Sequence, residues 1–205
     1  MKYVTSNLLD QLYAQSELHL EIAIAGWQQL PATILNAAPS PGSWSAASCL
    51  EHLNSYGRYY LPAIEKAIDS ADGSIAGAHY SSGWLGNYFY SLMLPGTPAK
   101  PSTKMKAPKA HRPPTQLNPI LVLSEFISQQ EKLEQLLTRC ATVNLATARV
   151  PISIAPFIRL QLGDVLLFNS AHIHRHLLQA QNALKLAGYA PSQSSHALKD
   201  FLPAA

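Results

Sequence analysis

Four amphipathic segments predict an all-α fold for this chain. In each of them apolar residues recur every three to four positions, and loops rich in proline and glycine separate the segments. The chain has 205 residues, of which 47% are hydrophobic and only 13% are charged, which fits one well-filled domain. We therefore expect a single helical domain over residues 1–205, with an elaborated insertion at about 72–117 between its second and third helices.

The first two helices are predicted from apolar spacing and from residues that start or stop helices. The first covers about residues 5–36, and Pro31 is expected to kink or end it. The second runs to about Ser70 and is capped at its start by Ser43 or Ser45, because a serine hydroxyl can accept a hydrogen bond from the first turn. Both helices therefore have an identifiable beginning or end.

The insertion is too long for a simple connection, since roughly 2–8 residues usually join two helices. Its first half carries aromatic residues and a methionine with enough apolar surface to pack onto the domain: Trp84, Tyr88, Phe89, Tyr90 and Met93. This cluster is either a lid over a pocket or a surface loop held down by its own side chains. The second half is basic and is interpreted as a solvated charge run, made up of Lys100, Lys104, Lys106, Lys109, His111 and Arg112.

The C-terminal half contains the other two helices. The third is predicted over residues 118–140, and residues 143–160 are expected to form a connection with one extended piece. The fourth covers residues 164–186, with Asp164 as its N-cap and Gly188 beyond its end.

Histidines of the fourth helix form the most informative motif. His172 and His176 are one turn apart and share a face with Asn169 and Gln179, whereas His174 lies about 200° round the helix from His172. A polar row that points into an apolar interior must find partners, because an unpaired buried polar group costs about 1–3 kcal/mol. The pair is either solvent-facing or hydrogen-bonded in the core, or it binds a metal, which two imidazoles can reach at about 2.0–2.1 Å.

A metal site needs a further ligand, and His52 is the candidate. It lies on the inward face of the second helix, together with Tyr56 and Tyr59. His19, on the first helix, has surface-type neighbours and is not expected to be a ligand. The sequence thus predicts one histidine from the second helix and two from the fourth.

Composition excludes several function classes. The net charge of +3 is too small to indicate nucleic-acid binding, and the basic run lacks the interleaved aromatic residues that single strands stack on. No stretch has eighteen uninterrupted apolar residues, and the N-terminus lacks the apolar core of a signal peptide. Cys49 and Cys140 are isolated, which favours reduced thiols and a cytoplasmic location.

These motifs together resemble a known family. They are Trp44-Ser45 seven residues before His52-Leu53, Gly163-Asp164, then His172-x-x-Arg175-His176-Leu177-x-Gln179, with the Lys104-Met105-Lys106-Ala107-Pro108 stretch. The chain resembles the DinB-like (DNA-damage-inducible) superfamily, whose relatives include proteins assigned as metal-dependent hydrolases and the bacillithiol- and mycothiol-dependent transferases. The resemblance implies a four-helix bundle with one long crossover and a divalent metal held by His52, His172 and His176.

Such a site suits catalysis, because three protein ligands leave coordination positions open for water or substrate. Imidazole ligation suits zinc, nickel or iron, and the metal would activate water or a small thiol. The expected function is thus that of a hydrolase or a thiol S-transferase acting on a small molecule, with a low-molecular-weight thiol as a second cofactor in the transferase case. The alternative is a non-enzymatic helical bundle with a structural metal or none.

Supporting roles follow from position along the helices. Asn169 and Gln179 are expected to orient the imidazoles by hydrogen bonds, or simply to pack as polar residues inside the helix. Tyr56, Tyr59 and Arg175 are expected to contact substrate, although Arg175 could equally form a structural ion pair. No carboxylate shares the face of His52, so no catalytic residue is assigned. The leucine- and alanine-rich helix faces could also form a homodimer.

Overall fold

The computed structural model describes residues 1–71, 76–94 and 105–189. Its elements, in chain order, are β1 (Lys2–Val4), α1 (Thr5–Glu21), a π-helical segment (Ile22–Trp27), α2 (Ala32–Leu35), α3 (Ala46–Asp69), β2 (His79–Ser81), α4 (Trp84–Met93), a 3₁₀ turn (Lys109–His111), α5 (Pro119–Cys140), β3 (Arg149–Ile152), β4 (Ala155–Gln161) and α6 (Leu162–Leu186). The described chain is mostly helical, as predicted, and also contains two small two-stranded sheets that were not predicted.

The long helices pack around a shared core. α3 packs against α5 and α6, α1 packs against the same two helices, and α4 lies on α6. Side chains such as Leu50, Phe126 and Leu166 are almost completely buried between them. The contact between α3 and α6 matters most for function, because it brings the predicted histidines of the two helices together.

Helix α1 is shorter than predicted. The expected helix over residues 5–36 ends instead with the π-helical segment Ile22–Trp27, and α2 is a separate short helix. Pro31 precedes α2 with an extended ψ of 142° and supplies no N–H, so it starts a new helix and cannot continue the old one. Pro31 therefore lies between two helices, which agrees with the expected break in the predicted helix. The first helix ends before Pro31, however, so the proline does not itself end it.

The starts of α3 and α5 were predicted correctly, because each has a local cap. The hydroxyl of Ser45 accepts a hydrogen bond from the N–H of Ser48 at 3.1 Å, which places the first helical residue at Ala46. The side chain of Asn118 accepts from the backbone N–H groups of Ile120 and Leu121.

The start of α6 was predicted wrongly. The helix begins at Leu162, and its first two N–H groups donate to the backbone carbonyls of Ala148 and Leu145. Backbone partners from elsewhere in the chain thus replace a side-chain cap, and Asp164 lies inside the first turn. The end at Leu186 was predicted correctly, and Gly188 follows with a positive φ of 91°.

Asp164 anchors the insertion to α6. Its buried carboxylate accepts hydrogen bonds from the hydroxyls of Tyr80 and Ser82, both at 2.6 Å, and from the N–H of Gly83 at 3.2 Å. Gly86 permits this approach, because a Cβ at that position would lie only 2.1 Å from the carboxyl carbon of Asp164.

The described part of the insertion is therefore more ordered than the loop that was expected. β2 pairs antiparallel with β1, and α4 packs on α6. The aromatic cluster divides, since Tyr90 and Met93 are buried whereas Trp84 and Tyr88 are exposed. Lys100 and Lys104, part of the expected basic run, lie outside the described residues.

A β-hairpin replaces the single extended piece expected over residues 143–160. β3 and β4 pair antiparallel with Val150 opposite Leu160, and both side chains are buried. Pro151 and Pro156 interrupt the alternation of apolar and polar residues, which is why the sequence pattern was too weak to predict two strands. Among the described helices, none combines the length and apolarity that a membrane span requires.

Candidate metal centre

Three histidines meet where α3 and α6 pack. Nε2 of His52 lies 3.1 Å from Nε2 of His172. The ring centroid of His176 lies 4.5 Å from that of His52 and 4.7 Å from that of His172. One ring nitrogen from each residue lies within 4.8 Å of the other two. His172 and His176 project together because they are one helical turn apart on α6.

A backbone carbonyl sets the tautomer of His52. Nδ1 of His52 lies 2.6 Å from the carbonyl oxygen of His111, in the 3₁₀ turn Lys109–His111. Because a carbonyl oxygen can only accept, Nδ1 carries the proton and Nε2 of the neutral ring has a free lone pair. The insertion thereby aims the lone pair of His52 at His172.

The side chain of Gln179 sets the tautomer of His176. Nδ1 of His176 lies 3.0 Å from Oε1 of Gln179 and donates to it, which leaves Nε2 of His176 as the free nitrogen. The sequence placed Gln179 on the same helix face as His176, and the structure brings the two side chains into contact. Such partners fix the orientation of an imidazole and raise its basicity as a ligand.

Burial keeps the three imidazoles neutral. Burial lowers the pKa of His52 to about 4, against a weaker opposing effect of the hydrogen bond to His111. Burial, together with the charge of a protonated His52, lowers the pKa of His176 to about 3. The pKa of His172 is also held well below its ordinary value, first by burial and then by His176 and His52. All three therefore present the deprotonated form that metal ligation requires at neutral pH.

The cluster fits a divalent transition metal. Two lone pairs that face each other at 3.1 Å repel unless a proton or a cation lies between them. Nδ1 of His172 is buried without a hydrogen-bond partner among the described residues, so Nε2 is the nitrogen through which His172 interacts with His52. Nitrogens bound to one tetrahedral ion lie roughly 3.3 Å apart, which is close to the observed separation. Ligands that are all imidazole favour zinc, nickel, iron or copper over calcium or magnesium.

Aromatic rings enclose the cluster. Trp44 lies with its ring centroid 4.9 Å from that of His52, and Tyr56 lies 4.4 Å from His172. Phe168 stacks on His172 with a ring-plane angle of 9° and a centroid distance of 5.6 Å. These rings pack against His52 and His172, and burial raises the pKa of Tyr56 to about 12, so this phenol stays protonated.

Comparison with known proteins identifies the family of this chain. The family model described as the DinB superfamily matches residues 17–180, which include all three histidines. The chain belongs to the DinB superfamily. The comparisons with curated proteins and with solved structures found no match.

The other predicted residues of this DinB-superfamily site lie in different surroundings. Within the described chain, Asn169 makes no hydrogen bond to the three imidazoles; it is buried beside a small cavity that Gln129 and Gln130 also line. Tyr59 is half-buried, with its ring against Tyr60. Arg175 donates to the carbonyl of Leu92 at 3.3 Å, and its charge contributes to lowering the pKa of both His172 and His176.

His111 was missed as a residue of the site. It was expected in a solvated run, but it is only 7% exposed, and its Nδ1 lies 3.0 Å from the hydroxyl of Ser55. Its ring lies 3.9 Å from that of Tyr56, between centroids. No local pattern could have identified it, because its burial depends on where the insertion folds back onto α3.

His19 was also misjudged, and here a local signal existed. It is 1% exposed, and its Nε2 lies 3.4 Å from Nδ1 of His174. His19 follows Leu8, Leu12 and Ser16 at helical spacing, so it belongs to the buried stripe of α1. It is nevertheless outside the three-histidine cluster, as predicted.

Proposed function

We propose that this DinB-superfamily chain binds one divalent ion, zinc, nickel or iron, through His52, His172 and His176, and uses it to activate water or a small thiol. The observation that carries the proposal is the convergence of three neutral imidazoles, of which those of His52 and His172 are buried and that of His176 is half-buried. The rings of His52 and His176 are oriented by hydrogen bonds from their other ring nitrogen. The reaction would be a hydrolysis or a thiol S-transfer on a small molecule. In the transferase case the second cofactor would be a low-molecular-weight thiol.

A bound ion would supply Lewis acidity, which lowers the pKa of a water or thiol, since three protein ligands leave a coordination position open. The chain's own residues do the rest. The carbonyl of His111 and the side chain of Gln179 hold two imidazoles in the ligating tautomer. Arg175 is half-buried and positively charged, so it suits an anionic group of the substrate or the charge that develops in the reaction.

The proposal also covers the substrate contacts, the architecture, the cellular location and the oligomeric state of the chain. Tyr56 and Tyr59 would contact the substrate, and Asn169 would support the site from within the helix. The four long helices would form the four-helix bundle with a long crossover that the family resemblance implies. Cys49 and Cys140 are buried free thiols, which supports a cytoplasmic location. We also propose a homodimer, for which the exposed apolar side chains Ile120 and Leu121 on α5 are candidate contacts.

Metal analysis of the untagged protein tests the proposal. We expect about one ion per chain in the wild type and none in His172→Ala, with helical circular dichroism retained, because the apolar core between the helices does not depend on His172. His79→Ala is the matched control, since His79 is an exposed histidine on β2. Full metal content in His172→Ala, or equal loss in His79→Ala, would contradict the ligand assignment.

A purely structural metal is the second candidate, and the position of the cluster supports it. The three histidines connect α3 to α6, so an ion there would cross-link two helices. Cobalt substitution separates the two functions. If the d–d spectrum changes when azide or a small thiol is added, a coordination position is open; if it does not change while chelation lowers the melting temperature, the metal is structural.

A further inference from the structure

A second feature of the chain is an apolar pocket beside the three histidines. It lies where α3, α4, the β3–β4 hairpin and α6 meet. Aromatic and aliphatic side chains form most of its wall, among them Tyr56, Tyr60, Phe89, Ile154, Val165 and Phe168. None of the three histidines lines it, so the pocket adjoins the metal centre without including a proposed metal ligand.

The chemistry of this wall defines what can bind. No acidic, basic or histidine side chain is among the lining residues in the described part of the chain. The hydroxyl of Tyr60 already accepts a hydrogen bond from the backbone N–H of Ser153 at 3.2 Å. A charged group would therefore lose its hydration here without gaining an ionic partner, whereas a flat apolar group would pack against ring faces.

Two residues of the wall also belong to the metal centre. Tyr56 and Phe168 line the pocket, and both rings contact His172, at centroid distances of 4.4 and 5.6 Å. A molecule in the pocket would thus lie one aromatic layer away from a proposed ligand. Any shift of those rings on binding would reach His172 directly.

We propose that this pocket binds the uncharged, apolar part of the substrate, an aromatic ring or a short alkyl chain, and holds it beside the metal centre. The assignment of this group to a substrate rests on the proposed function. The affinity of the pocket for an apolar group rests only on its own wall, so the two can be tested separately.

Toluene is a suitable probe, with benzoate and benzylamine as charged analogues of similar size. Binding is measured by NMR titration of the full chain, first after chelation and then with cobalt bound. We expect toluene to bind the metal-free chain at least about tenfold more tightly than either charged analogue, because neither charge has a partner in the wall. In the cobalt form, toluene should also shift the d–d bands through Tyr56 and Phe168.

Ile154→Trp should block the pocket. Ile154 lines it and is 59% exposed, so a larger side chain can be accommodated without disturbing the core. Ile24→Trp is the matched control, an isoleucine in the π-helical segment Ile22–Trp27 that is 41% exposed and does not line the pocket. We expect Ile154→Trp to weaken toluene binding at least about tenfold by filling the site, and Ile24→Trp to leave it unchanged.

The outcomes separate the two proposals. Equal binding of toluene and benzoate, or unchanged binding in Ile154→Trp, overturns the pocket. Toluene binding that leaves the cobalt spectrum unchanged overturns its role beside the metal. If cobalt does not bind at all, the metal proposal fails, and the titration of the chelated chain still decides whether the apolar pocket exists.

Discussion

Helix α6 carries buried histidines on two opposite sides, and their surroundings differ. On one side His172 and His176 meet His52 of α3; on the other, His174 meets His19 of α1 at 3.4 Å. Both groups contain buried imidazoles whose nitrogens are close enough to interact. What differs is the set of groups that surrounds each of them.

Two properties separate the clusters. The first has a third imidazole and hydrogen-bond partners that orient two of the rings, namely the carbonyl of His111 and the side chain of Gln179. Within the part of the chain that the structure describes, the second has two imidazoles. It lies in a row of paired polar groups that joins α1 to its neighbours, with Ser170 donating to Gln15 and Ser16 donating to Gln130. The first arrangement suits a cation, and the second suits the packing of α1.

The largest difference is expected between His172→Ala and His174→Ala. The first should weaken metal affinity by more than about 100-fold, because two ligands seldom hold a divalent ion in a protein. The second should leave the metal content at its wild-type value, since His174 points to α1. Competition with a chromogenic chelator measures both. A wild-type affinity in His172→Ala, or metal loss in a folded His174→Ala, would reverse the roles of the two sides.

The free energy of unfolding should depend on the pair of His19 and His174, which is not expected to bind the metal. His19→Ala removes the contact between Nε2 of His19 and Nδ1 of His174 and opens space in the core, so we expect a loss of about 2–4 kcal/mol in the free energy of unfolding of the metal-free chain. Urea denaturation measures this loss. His79→Ala, at an exposed site, should change stability by less than about 0.5 kcal/mol. A similarly small effect of His19→Ala would show that the pair does not stabilise the packing of α1.

A smaller effect is expected from the residues that orient the ligands. Gln179→Leu removes the acceptor for Nδ1 of His176 and should weaken metal binding about 10–100-fold without abolishing it. Gln181→Leu, two residues further along α6, is the control on the same helix. Affinity that is equal in the two variants would mean that the hydrogen bond to His176 does not contribute.

The smallest effect concerns pH. Burial, and then the charge of a protonated His174, hold the pKa of His19 well below its ordinary value near 6.5. On acidification below about pH 6.5, His19 is therefore protonated in the unfolded chain but stays neutral in the folded chain. Stability should be constant above that pH and should fall below it by at most about 1.4 kcal/mol per pH unit from this group.

The contribution of His19 can be isolated by comparing slopes. Unfolding free energies are measured between pH 5 and 7.5 for the metal-free wild type and for His19→Gln, which cannot titrate. The variant should lose less stability on acidification than the wild type. Identical slopes would show that His19 takes up its proton equally well in both states.

Local signals explain why parts of the fold were predictable. The starts of α3 and α5 follow from Ser45 and Asn118, which cap the helices with their own side chains. The start of α6 was not predictable in this way, because its first N–H groups donate to carbonyls of Ala148 and Leu145. Asp164 was predicted to be the N-cap of this helix, but its carboxylate instead accepts hydrogen bonds from Tyr80, Ser82 and Gly83 of the insertion.

The same distinction applies to the site. Two of its histidines are one turn apart on a single helix, so their common face is a property of helical geometry alone. His52 could be added because its helix has a clear inward face. His111 could not, since nothing around it in sequence shows that the 3₁₀ turn Lys109–His111 packs onto α3.

The sequence by itself determined the helical class, the starts of two helices, the shared face of His172 and His176, and the resemblance to the DinB superfamily, because each depends on residues close together in the chain. Only the tertiary structure decided how these parts combine. It brought His52 within 3.1 Å of His172, and it buried His19 against His174. It also formed the apolar pocket between α6 and the hairpin. Those outcomes depend on how distant segments pack, which spacing along one helix does not encode.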